Sequence, residues 1–303
     1  MWWYMKETSN KVKELINNTD TIVIGAGSGL STSAGFVYTG ERFNKYFKDF
    51  AEKYKFSDMY SGGFYPYNSL EEYWAYWSRY IYINRYAKIP NNTYKDLYEI
   101  VKDKNYFVIT TNVDHCFQRA GFDKNKMFYT QGDYGLFQCS TPCHNKTYDN
   151  EEIIKKMVKS QGYEIQDDGE LLVTENVKMT IASDLIPKCP VCNEPMTMNL
   201  RCDDTFVEDD TWHIHANIYK DFLKKNKDKD ILFLELGVGF NTPGIIRFPF
   251  ESMTHEFKNA NLIRVNRDYL MIPDEIQNKA YGFSEDINEF LDSIIGDARV
   301  EKG

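Results

Sequence analysis

The chain has 303 residues and a formal net charge of −9, with acidic and basic residues interspersed. This balance disfavours a nucleic-acid partner, which needs a concentrated basic surface, and no apolar run approaches the roughly 20 residues of a membrane-spanning helix. The six cysteines, with no N-terminal segment typical of a secretion signal, indicate a reducing compartment, and we expect a cytoplasmic protein. The length is sufficient for a layered α/β domain with a smaller lobe.

The first elements along the chain predict a helix, then a buried strand and a glycine-rich turn. Residues 4–17 have the spacing of an amphipathic helix, and the β-branched run at 22–24 is typical of a buried strand. Small residues follow, and we expect a tight turn that leads into a helix at Gly25, Ala26, Gly27, Ser28, Gly29, Leu30 and Ser31.

This glycine loop, residues 25–31, is a candidate anion site. Glycine lets backbone N–H groups approach an anion closely, and the start of a helix adds a partial positive charge, so a pyrophosphate would fit. The dehydrogenase fingerprint G-x-G-x-x-G fails, because Leu30 or Thr32 takes the place of the third glycine. The acidic residue that accompanies this fingerprint would fall near Asp49, but that region predicts a helix rather than the end of a second strand. A purely structural turn is the alternative.

Residues 43–88 predict two helical pieces with many aromatic side chains, separated by Gly62, Gly63 and Pro66. Aromatic side chains bury large apolar areas, so we expect them to form the core of a small lobe. The alternative is that some of them line a groove for an apolar acyl or lipoyl-like arm.

Two further strands deliver polar side chains. The run at 106–110 predicts a buried strand after a helix at 93–103, and Asn112 and Asp114 follow its carboxyl end. A short strand at 127–130 ends at Gln131, Gly132 and Asp133. Open α/β sheets bind ligands outside the carboxyl ends of their strands, so we expect these residues to share one site with the glycine loop.

Residues 136–205 differ from the rest of the chain, with cysteine pairs, polar loops and hairpin-like runs at 171–174 and 177–181. We interpret them as a small insertion that resembles a zinc ribbon. The α/β pattern then resumes with a helix at 214–226, strands at 231–236 and 262–265, and a final helix whose capping signal begins at Ser284.

Four cysteines in the insertion form two closely spaced pairs, Cys139 with Cys143 and Cys189 with Cys192. Two such pairs complete a closed tetrahedron around a zinc ion, which leaves no position open for a substrate, so the ion would be structural. His144 and Cys202 lie close enough in sequence to replace a ligand. The remaining alternative is that the thiols are simply buried or free.

Several short motifs, in order along the chain, resemble those of the sirtuin family. The segment from Gly27 to Gly35 is similar to the motif G-A-G-I-S-x-x-S-G. The segment from Thr110 to Asp114 is similar to T-Q-N-x-D, and an A-G pair follows at Ala120. Three later matches follow. Cys189 to Cys192, with Leu200 and Arg201, is similar to a C-P-x-C element followed by L-R. Gly237 to Gly239 resembles the loop G-T-S, and Val265 with Asn266 resembles the I-N pair that meets the adenosine.

The resemblance implies a Rossmann-like α/β fold, in which a doubly wound parallel sheet binds NAD and a smaller lobe consists of zinc-ribbon and helical insertions. It implies one domain, with an NAD lobe from 1–40, 92–135 and 206–303 and a small lobe from 41–91 and 136–205. The NAD-binding residues implied are those of the glycine loop together with Thr111, Asn112, Val113, Asp114, Gln131, Gly237, Val238, Gly239, Asn266 and Arg267.

Gln131 departs from the family at a decisive position. Sirtuin deacylases have a histidine before glycine there, a general base that removes a ribose hydroxyl proton, whereas glutamine does not titrate. Cleavage of the nicotinamide–ribose bond needs orientation rather than a base, and a carboxylate acceptor is already ionised at neutral pH. We therefore expect ADP-ribosyl transfer, with Asn112, Gln131 and Asp133 as catalytic residues. Asp133 would either polarise the acceptor or organise its loop, and the alternative is that Asp133 is only a solvated turn residue.

Gln131, the loop from Ser31 to Phe36 and the segment from Gln138 to His144 are similar to the macrodomain-linked class M sirtuins. That resemblance implies protein mono-ADP-ribosylation on an acidic residue of a lipoylated, glycine-cleavage H-like carrier protein, in a system tied to oxidative stress. It also implies a macrodomain hydrolase, which we expect to be a separate protein. The rival functions are an NAD-dependent deacylase or NAD glycohydrolase, and a non-enzymatic NAD or ADP-ribose sensor; Asn112 favours an enzyme.

Overall fold

The computed structural model describes residues 2–300, with side chains from residue 10 to residue 296. These residues form two compact units. The first contains the chain up to Ala34, the segment Asn91–Gln131 and the chain from Thr211 onward, and the second contains Gly35–Pro90 and Gly132–Asp210.

The strands of the described residues are β1 (Thr21–Ala26), β2 (Asn105–Thr110), β3 (Met127–Tyr129), β4 (Gly132–Cys139), β5 (Tyr148–Asp149), β6 (Glu164–Ile165), β7 (Leu171–Leu172), β8 (Met196–Leu200), β9 (Ile231–Leu236), β10 (Ala260–Val265) and β11 (Ala280–Phe283). The first unit holds a six-stranded parallel sheet in the order β11–β10–β9–β1–β2–β3. Because the chain builds outward from β1 in both directions, the predicted doubly wound α/β fold is confirmed.

The α-helices are α1 (Trp2–Asn18), α2 (Ser28–Ser33), α3 (Gly40–Tyr54), α4 (Met59–Gly63), α5 (Leu70–Ile81), α6 (Thr93–Val101), α7 (Cys116–Arg119), α8 (Glu151–Ser160), α9 (Asp210–Asn226), α10 (Arg247–Glu256) and α11 (Ile287–Val300). A π-helical turn, Tyr82–Tyr86, continues α5. Among residues 2–300, no helix combines the length and the apolar character needed to cross a bilayer.

Strand β1 lies at the centre of the parallel sheet. All six of its residues are buried, as its aliphatic sequence predicts, and Thr21 is in register with Asn105 of β2 and with Ile231 of β9. A Cβ on Gly25 would lie 2.5 Å from side-chain atoms of Ile246 and Phe250, so that glycine allows α10 to pack closely. Because the six strands are parallel, the loops that follow them all leave the sheet at the same edge, the one formed by the carboxyl ends of the strands.

The second unit contains an antiparallel sheet in the order β5–β4–β8 and the aromatic helices α3, α4 and α5. The prediction that the aromatic side chains form a core is confirmed, since most of them are buried, including Phe43, Tyr46, Phe47, Phe50, Trp74, Tyr76, Trp77, Tyr80 and Tyr82. Their rings contact each other in stacked, tilted and edge-to-face arrangements, and the stacked and edge-to-face pairs have the geometries that aromatic pairs favour.

One buried cation holds this aromatic core together. The guanidinium of Arg79 is fully buried and donates to both carboxylate oxygens of Asp49, at 2.7 and 2.9 Å. It also donates to the carbonyl oxygens of Tyr46 and Lys178 and to the amide oxygen of Gln161. Arg79 therefore joins α3, α5 and the end of α8 through charge-assisted hydrogen bonds that compensate its desolvation.

Two local predictions were wrong. The aromatic segment forms three helices rather than two, because Asp58 accepts the backbone N–H of Ser61 and starts α4. The run at 177–181 is not a strand, although Leu171–Leu172 pairs antiparallel with Glu164–Ile165. The capping signal that begins at Ser284 is confirmed, and within it the cap is Asp286, whose carboxylate accepts the backbone N–H of Asn288 at 2.9 Å.

We expect Arg79→Ala to lower the free energy of unfolding by about 3–5 kcal/mol, because it leaves the Asp49 carboxylate without its buried partner. Urea unfolding followed by circular dichroism measures this. The control is Lys48→Ala, which removes an exposed lysine 3.9 Å from Glu52 and should change stability by no more than about 0.5 kcal/mol. Equal stability of the two variants would show that Arg79 does not hold the core.

Candidate active site

The predicted glycine loop contacts a second glycine loop, residues 237–239, backbone against backbone. The N–H of Gly29 donates to the carbonyl oxygen of Gly237 at 3.0 Å. A Cβ on Gly27 would lie 2.6 Å from that same oxygen, and a Cβ on Gly29 would lie 2.6 Å from the Cα of Gly237. Gly237 itself has a φ of +63°, which favours glycine. Neither loop has room for a side chain at this contact.

The loop after β2 is fastened to the loop after β1. The hydroxyl of Thr110 and the N–H of Thr111 both donate to the carbonyl oxygen of Ala26, at 2.9 and 3.1 Å. The N–H of Asn112 donates in turn to the Thr110 hydroxyl at 3.0 Å, and the Asn112 side-chain amide donates to the carbonyl oxygen of Gly27 at 2.9 Å. Asn112 is therefore oriented against the glycine loop, with only 8% of its surface exposed.

Asp114 is held by donors from both loops. Its carboxylate accepts the Ser31 hydroxyl at 2.5 Å and the N–H of Cys116 at 2.9 Å. The Tyr94 hydroxyl lies 3.0 Å from the Ser31 oxygen and 3.4 Å from the Asn112 amide nitrogen. Burial, reinforced by the negative charge of Asp114, raises the pKa of Tyr94 well above its usual value. Tyr94 therefore stays protonated inside this polar cluster.

Gln131 follows a residue that is anchored to the end of β2. The N–H and the hydroxyl of Thr130 both donate to the carbonyl oxygen of Thr110, at 3.1 and 3.0 Å. The indole N–H of Trp212 donates to the carbonyl oxygen of Thr130 at 3.3 Å. The structure thus brings the chain at Gln131, which is half-buried, to the sheet edge that also carries Asn112.

Asp133 is not a solvated turn residue. It lies at the start of β4 in the second unit, is 5% exposed, and pairs with the guanidinium of Arg85 at 2.8 Å. Its carboxylate also accepts the N–H of Gly135 at 2.6 Å. The neighbouring Gly132 has a φ of +94°, and a Cβ there would lie 1.9 Å from the carbonyl oxygen of Asn199. The strand start is therefore fixed by an ion pair and by a position that only glycine fits.

A cavity opens at the same edge of the parallel sheet, on the β9–β10–β11 side. It is lined by residues from the loops after these strands and from α2: Ser28, Gly29, Thr32, Ser33, Gly237, Gly239, Asn266, Arg267, Asp268, Tyr269, Glu285, Asp286 and Ile287. Asn266 fixes one wall, because its amide nitrogen donates to the carbonyl oxygen of Val238 at 2.8 Å and its amide oxygen accepts the N–H groups of Asp268 and Tyr269.

Six of the residues predicted to bind the cofactor line this cavity: Ser28, Gly29, Gly237, Gly239, Asn266 and Arg267. Ala26, Leu30 and Val238 are buried and are not among its lining residues, Gly25 packs against α10, and Thr111 and Val113 are partly exposed in the loop after β2. The glycine-loop residues Gly27 and Ser31 contact the Asn112–Asp114 cluster instead.

Several residues at this edge of the parallel sheet were not predicted from the sequence. The place of Tyr94 in the polar cluster was not predicted, because an aromatic residue in an amphipathic helix is usually a core residue. Asp286 lies within the predicted capping signal, but it was not predicted to line a cavity. The cavity residues that were not predicted are Thr32, Ser33, Asp268, Tyr269, Glu285, Asp286 and Ile287.

The four predicted metal ligands converge in the second unit. The sulfur atoms of Cys139, Cys143, Cys189 and Cys192 all lie within 4.8 Å of one another. Four thiols at this separation are the donor set of a closed structural zinc site, and the structure fits that ion. His144 places its Nδ1 at 3.0 Å from the Cys143 sulfur, whereas Cys202 is an exposed cysteine outside the group.

Comparison with known proteins gives two curated relatives, and no family model matches the chain. The chain is 39% identical over 285 residues to a protein ADP-ribosyltransferase of Staphylococcus aureus, covering 94% of this chain and 86% of the relative. It is 28% identical over 261 residues to a probable bifunctional ADP-ribose hydrolase/ADP-ribosyltransferase of Fusarium oxysporum, where the match covers 84% of this chain but 41% of that protein.

Solved structures similar to this chain are sirtuins. The structure of Sir2Tm bound to a propionylated peptide matches with a TM-score of 0.57 and 20% identity, covering 96% of this chain and 98% of the other. A complex of Sir2 with a p53 peptide and NAD+ matches with a TM-score of 0.56 and 18% identity, at 96% and 98% coverage. At this identity the likeness shows the fold, and it confirms the predicted sirtuin-like architecture.

We expect Gly29→Ala to weaken NAD binding by about tenfold or more, a loss of roughly 1.4 kcal/mol. The added methyl would lie 2.6 Å from a backbone carbon of Gly237 and would push the two glycine loops apart. Calorimetric titration with NAD measures the effect. Gly244→Ala is the control, because a Cβ at Gly244 meets nothing within 4 Å. Unchanged affinity in Gly29→Ala would place the dinucleotide elsewhere.

We expect the freshly purified, reduced protein to contain about one zinc per chain, because four converging thiols form one closed site. Elemental analysis should show the zinc content falling in Cys189→Ala and remaining in Cys202→Ala, which removes an exposed thiol outside the group. Loss of metal in His144→Ala but not in Cys143→Ala would instead make the histidine the ligand. Metal-free wild-type protein would contradict the prediction.

Proposed function

Since the chain belongs to the family of sirtuin-type protein ADP-ribosyltransferases, we propose that it transfers ADP-ribose from NAD to a carboxylate side chain of a protein and releases nicotinamide. In this proposal the first unit is the NAD lobe and the second is the small lobe with a structural zinc. The observation that carries the proposal is the buried cluster of Asn112 and Asp114, oriented against the glycine loop and followed along the sheet edge by Gln131.

We propose that the two contacting glycine loops receive the pyrophosphate. Their backbones meet without intervening side chains, so a phosphate is able to approach them closely. The N–H groups of Gly27, Gly29 and Gly237 already donate to carbonyl oxygens, so in this proposal those of Ser28, Val238 and Gly239 would bind the phosphate oxygens. The adjoining cavity would take the rest of the ADP moiety. The proposed NAD-binding residues remain those predicted from the sequence, with the cavity residues added.

We propose that Asn112 and Asp114 orient the nicotinamide ribose. The transition state at the anomeric carbon has oxocarbenium character, and it is stabilised by orientation and by fixed dipoles rather than by a base. Fixed hydrogen bonds hold the Asn112 amide to the Gly27 carbonyl and the Asp114 carboxylate to Ser31. Such groups need little reorganisation during the reaction, which is the property a preorganised site requires.

Gln131 favours transfer over deacylation. An amide donates and accepts hydrogen bonds but takes up no proton near neutral pH, so it would position the ribose hydroxyls without acting as a base. An acceptor carboxylate needs no base, because it is ionised at pH 7 and attacks the anomeric carbon as nicotinamide leaves. The product would be an ester between ADP-ribose and the acceptor.

For Asp133 we propose the organising role. A carboxylate that is 5% exposed, paired with Arg85 and bonded to the N–H of Gly135 has its charge and its lone pairs engaged within its own unit. It is therefore poorly suited to polarising an acceptor. Fixing β4 directly after Gly132 would instead hold the chain that carries Gln131.

As acceptor we propose a lipoylated, glycine-cleavage H-like carrier protein, on the strength of the resemblance to class M sirtuins, in a pathway that responds to oxidative stress. A functional partner would be an ADP-ribose hydrolase that removes the modification. The Fusarium oxysporum relative supports this pairing, because its name joins an ADP-ribose hydrolase to an ADP-ribosyltransferase in one protein.

We test the function by incubating the protein with NAD labelled in the ADP-ribose part and with lipoylated and unlipoylated carrier proteins. The expected result is label fixed on the carrier and released by hydroxylamine, with at most feeble deacylation of acetyl-lysine peptides. Asn112→Ala should abolish transfer while keeping NAD affinity within about tenfold. Asn125→Ala, which truncates an exposed amide in the same unit, should transfer normally.

The rival functions give different outcomes in the same assay. Free labelled ADP-ribose without labelled protein would indicate an NAD glycohydrolase, and robust deacylation would mean that another group supplies the base. NAD that binds but stays intact would indicate a sensor. Complete loss of NAD binding in Asn112→Ala would place Asn112 in the cofactor clamp rather than in the reaction.

A further inference from the structure

The backbone at His115 has an uncommon conformation beside the proposed reacting end of the site. His115 directly follows Asp114, which with Asn112 forms that end. Its φ of +55° and ψ of +28° lie in the left-handed region that favours glycine. A side chain in this region has an energetic cost, so such a residue is a candidate for a functional role. The imidazole is almost fully buried, with 9% of the residue exposed.

Capping of the next helix does not explain a histidine at this position. His115 precedes α7, but its side chain forms no capping hydrogen bond there. The Asp114 carboxylate instead accepts the N–H of Cys116 at 2.9 Å, and it thereby satisfies the first N–H of the helix. The reason for the histidine must therefore lie in another contact of its ring.

The imidazole of His115 stacks on the ring of Tyr129. The two ring centroids are 3.9 Å apart, and the ring planes are inclined by 15°. The Tyr129 hydroxyl donates a hydrogen bond to the side-chain amide oxygen of Gln118, which lies on α7. The segment that follows β2 thus holds Tyr129 both at the face of its ring and at its hydroxyl.

Tyr129 is the last residue of β3 and lies two residues before Gln131. The residue between them, Thr130, donates its N–H and its hydroxyl to the carbonyl oxygen of Thr110. Thr130 therefore fixes the position of this chain against β2, and the ring stack adds a second contact that fixes its direction. Through the stack, the loop after β2 is joined to the chain that carries Gln131.

We propose that His115 is a positioning residue for ADP-ribosyl transfer, which fixes Gln131 at the proposed reacting end through its stack on Tyr129. The inference rests on the proposed function and adds a residue that acts through another side chain. Misplacing a reacting group by about 1 Å is able to lower a rate by about a hundredfold. Loss of the stack should therefore lower kcat, while NAD binding at the glycine loops stays nearly unchanged.

The test measures nicotinamide release from NAD in the presence of the lipoylated carrier protein, together with NAD affinity by calorimetric titration. His115→Asn removes the ring, and asparagine also tolerates the left-handed backbone. Its kcat should fall by about tenfold or more, while its dissociation constant for NAD stays close to that of the wild-type protein. Tyr129→Leu should lose activity in the same way, whereas Tyr129→Phe keeps the ring and should retain most of it.

A double variant distinguishes positioning from direct catalysis. If His115 acts through Tyr129, the double variant His115→Asn, Tyr129→Leu should be as fast as Tyr129→Leu alone, because two changes to one contact are not additive. Losses that multiply would overturn the inference, since His115 would then act independently of Tyr129. A fall in NAD affinity as large as the fall in kcat would overturn it too. The two Tyr129 variants make the same comparison without any change at the left-handed residue.

Lys55→Asn is the matched control. Lys55 is another left-handed residue, with a φ of +62°, but its side chain is exposed and it belongs to the second unit. This variant should leave kcat and NAD affinity unchanged. An unchanged kcat in His115→Asn, measured beside an active wild-type protein, would overturn the inference alone. Wild-type protein that releases no nicotinamide and labels no carrier would instead overturn the proposed function.

Discussion

The contact between the two glycine loops is the constraint on which the rest of the site depends. Gly29 and Gly237 meet backbone to backbone, and two asparagine side chains brace this contact from opposite sides. Asn112 bonds the carbonyl oxygen of Gly27, and Asn266 bonds that of Val238. Each asparagine also belongs to a further cluster, one at the β2 end and one at the cavity. A single backbone contact therefore sets the distance between the proposed reacting end and the proposed adenosine end.

Each unit contains a buried arginine that is paired with an acidic side chain, Arg264 in the first unit and Arg79 in the second. In the first unit Arg264 and Glu235 are fully buried and form a pair at 2.7 Å, with Arg247 and Glu251 nearby. Burial raises the pKa of Glu235, and the two arginines oppose that rise by favouring its ionised form. In the second unit Arg79 plays a comparable part. Such networks are costly to desolvate but fix geometry, which a preorganised site requires and a purely apolar core does not supply.

The sequence was sufficient for five of the six parallel strands and for the cysteine cluster, because both follow from local patterns, whereas the edge strand β11 was not predicted. Aliphatic runs predicted β1, β2 and β9, and the close spacing of Cys189 and Cys192 predicted convergence. It was insufficient where distant segments meet. The sequence shows glycines in two loops but not that these loops contact each other so closely that neither has room for a side chain. Helix α8 was not predicted, because it lies among the cysteines and polar loops of the insertion. The ion pair of Asp133 could not be predicted from the sequence either, because its partner Arg85 lies 48 residues earlier in the chain, on a π-helical turn.

The order of the strands also limits how early in synthesis the parallel sheet is able to be completed. Residue 21 pairs with residue 231, so the central strand waits for a neighbour that is synthesised after both segments of the second unit. During translation β1 and β2 are synthesised before β9, so the edge of β1 that will pair with β9 is still unpaired. An unpaired strand edge is prone to pair with the wrong strand. Closing so long a loop is slow, as in other proteins dominated by non-local contacts. Both segments of the second unit precede β9 in the chain, so all of its residues are synthesised before β1 is able to pair with β9.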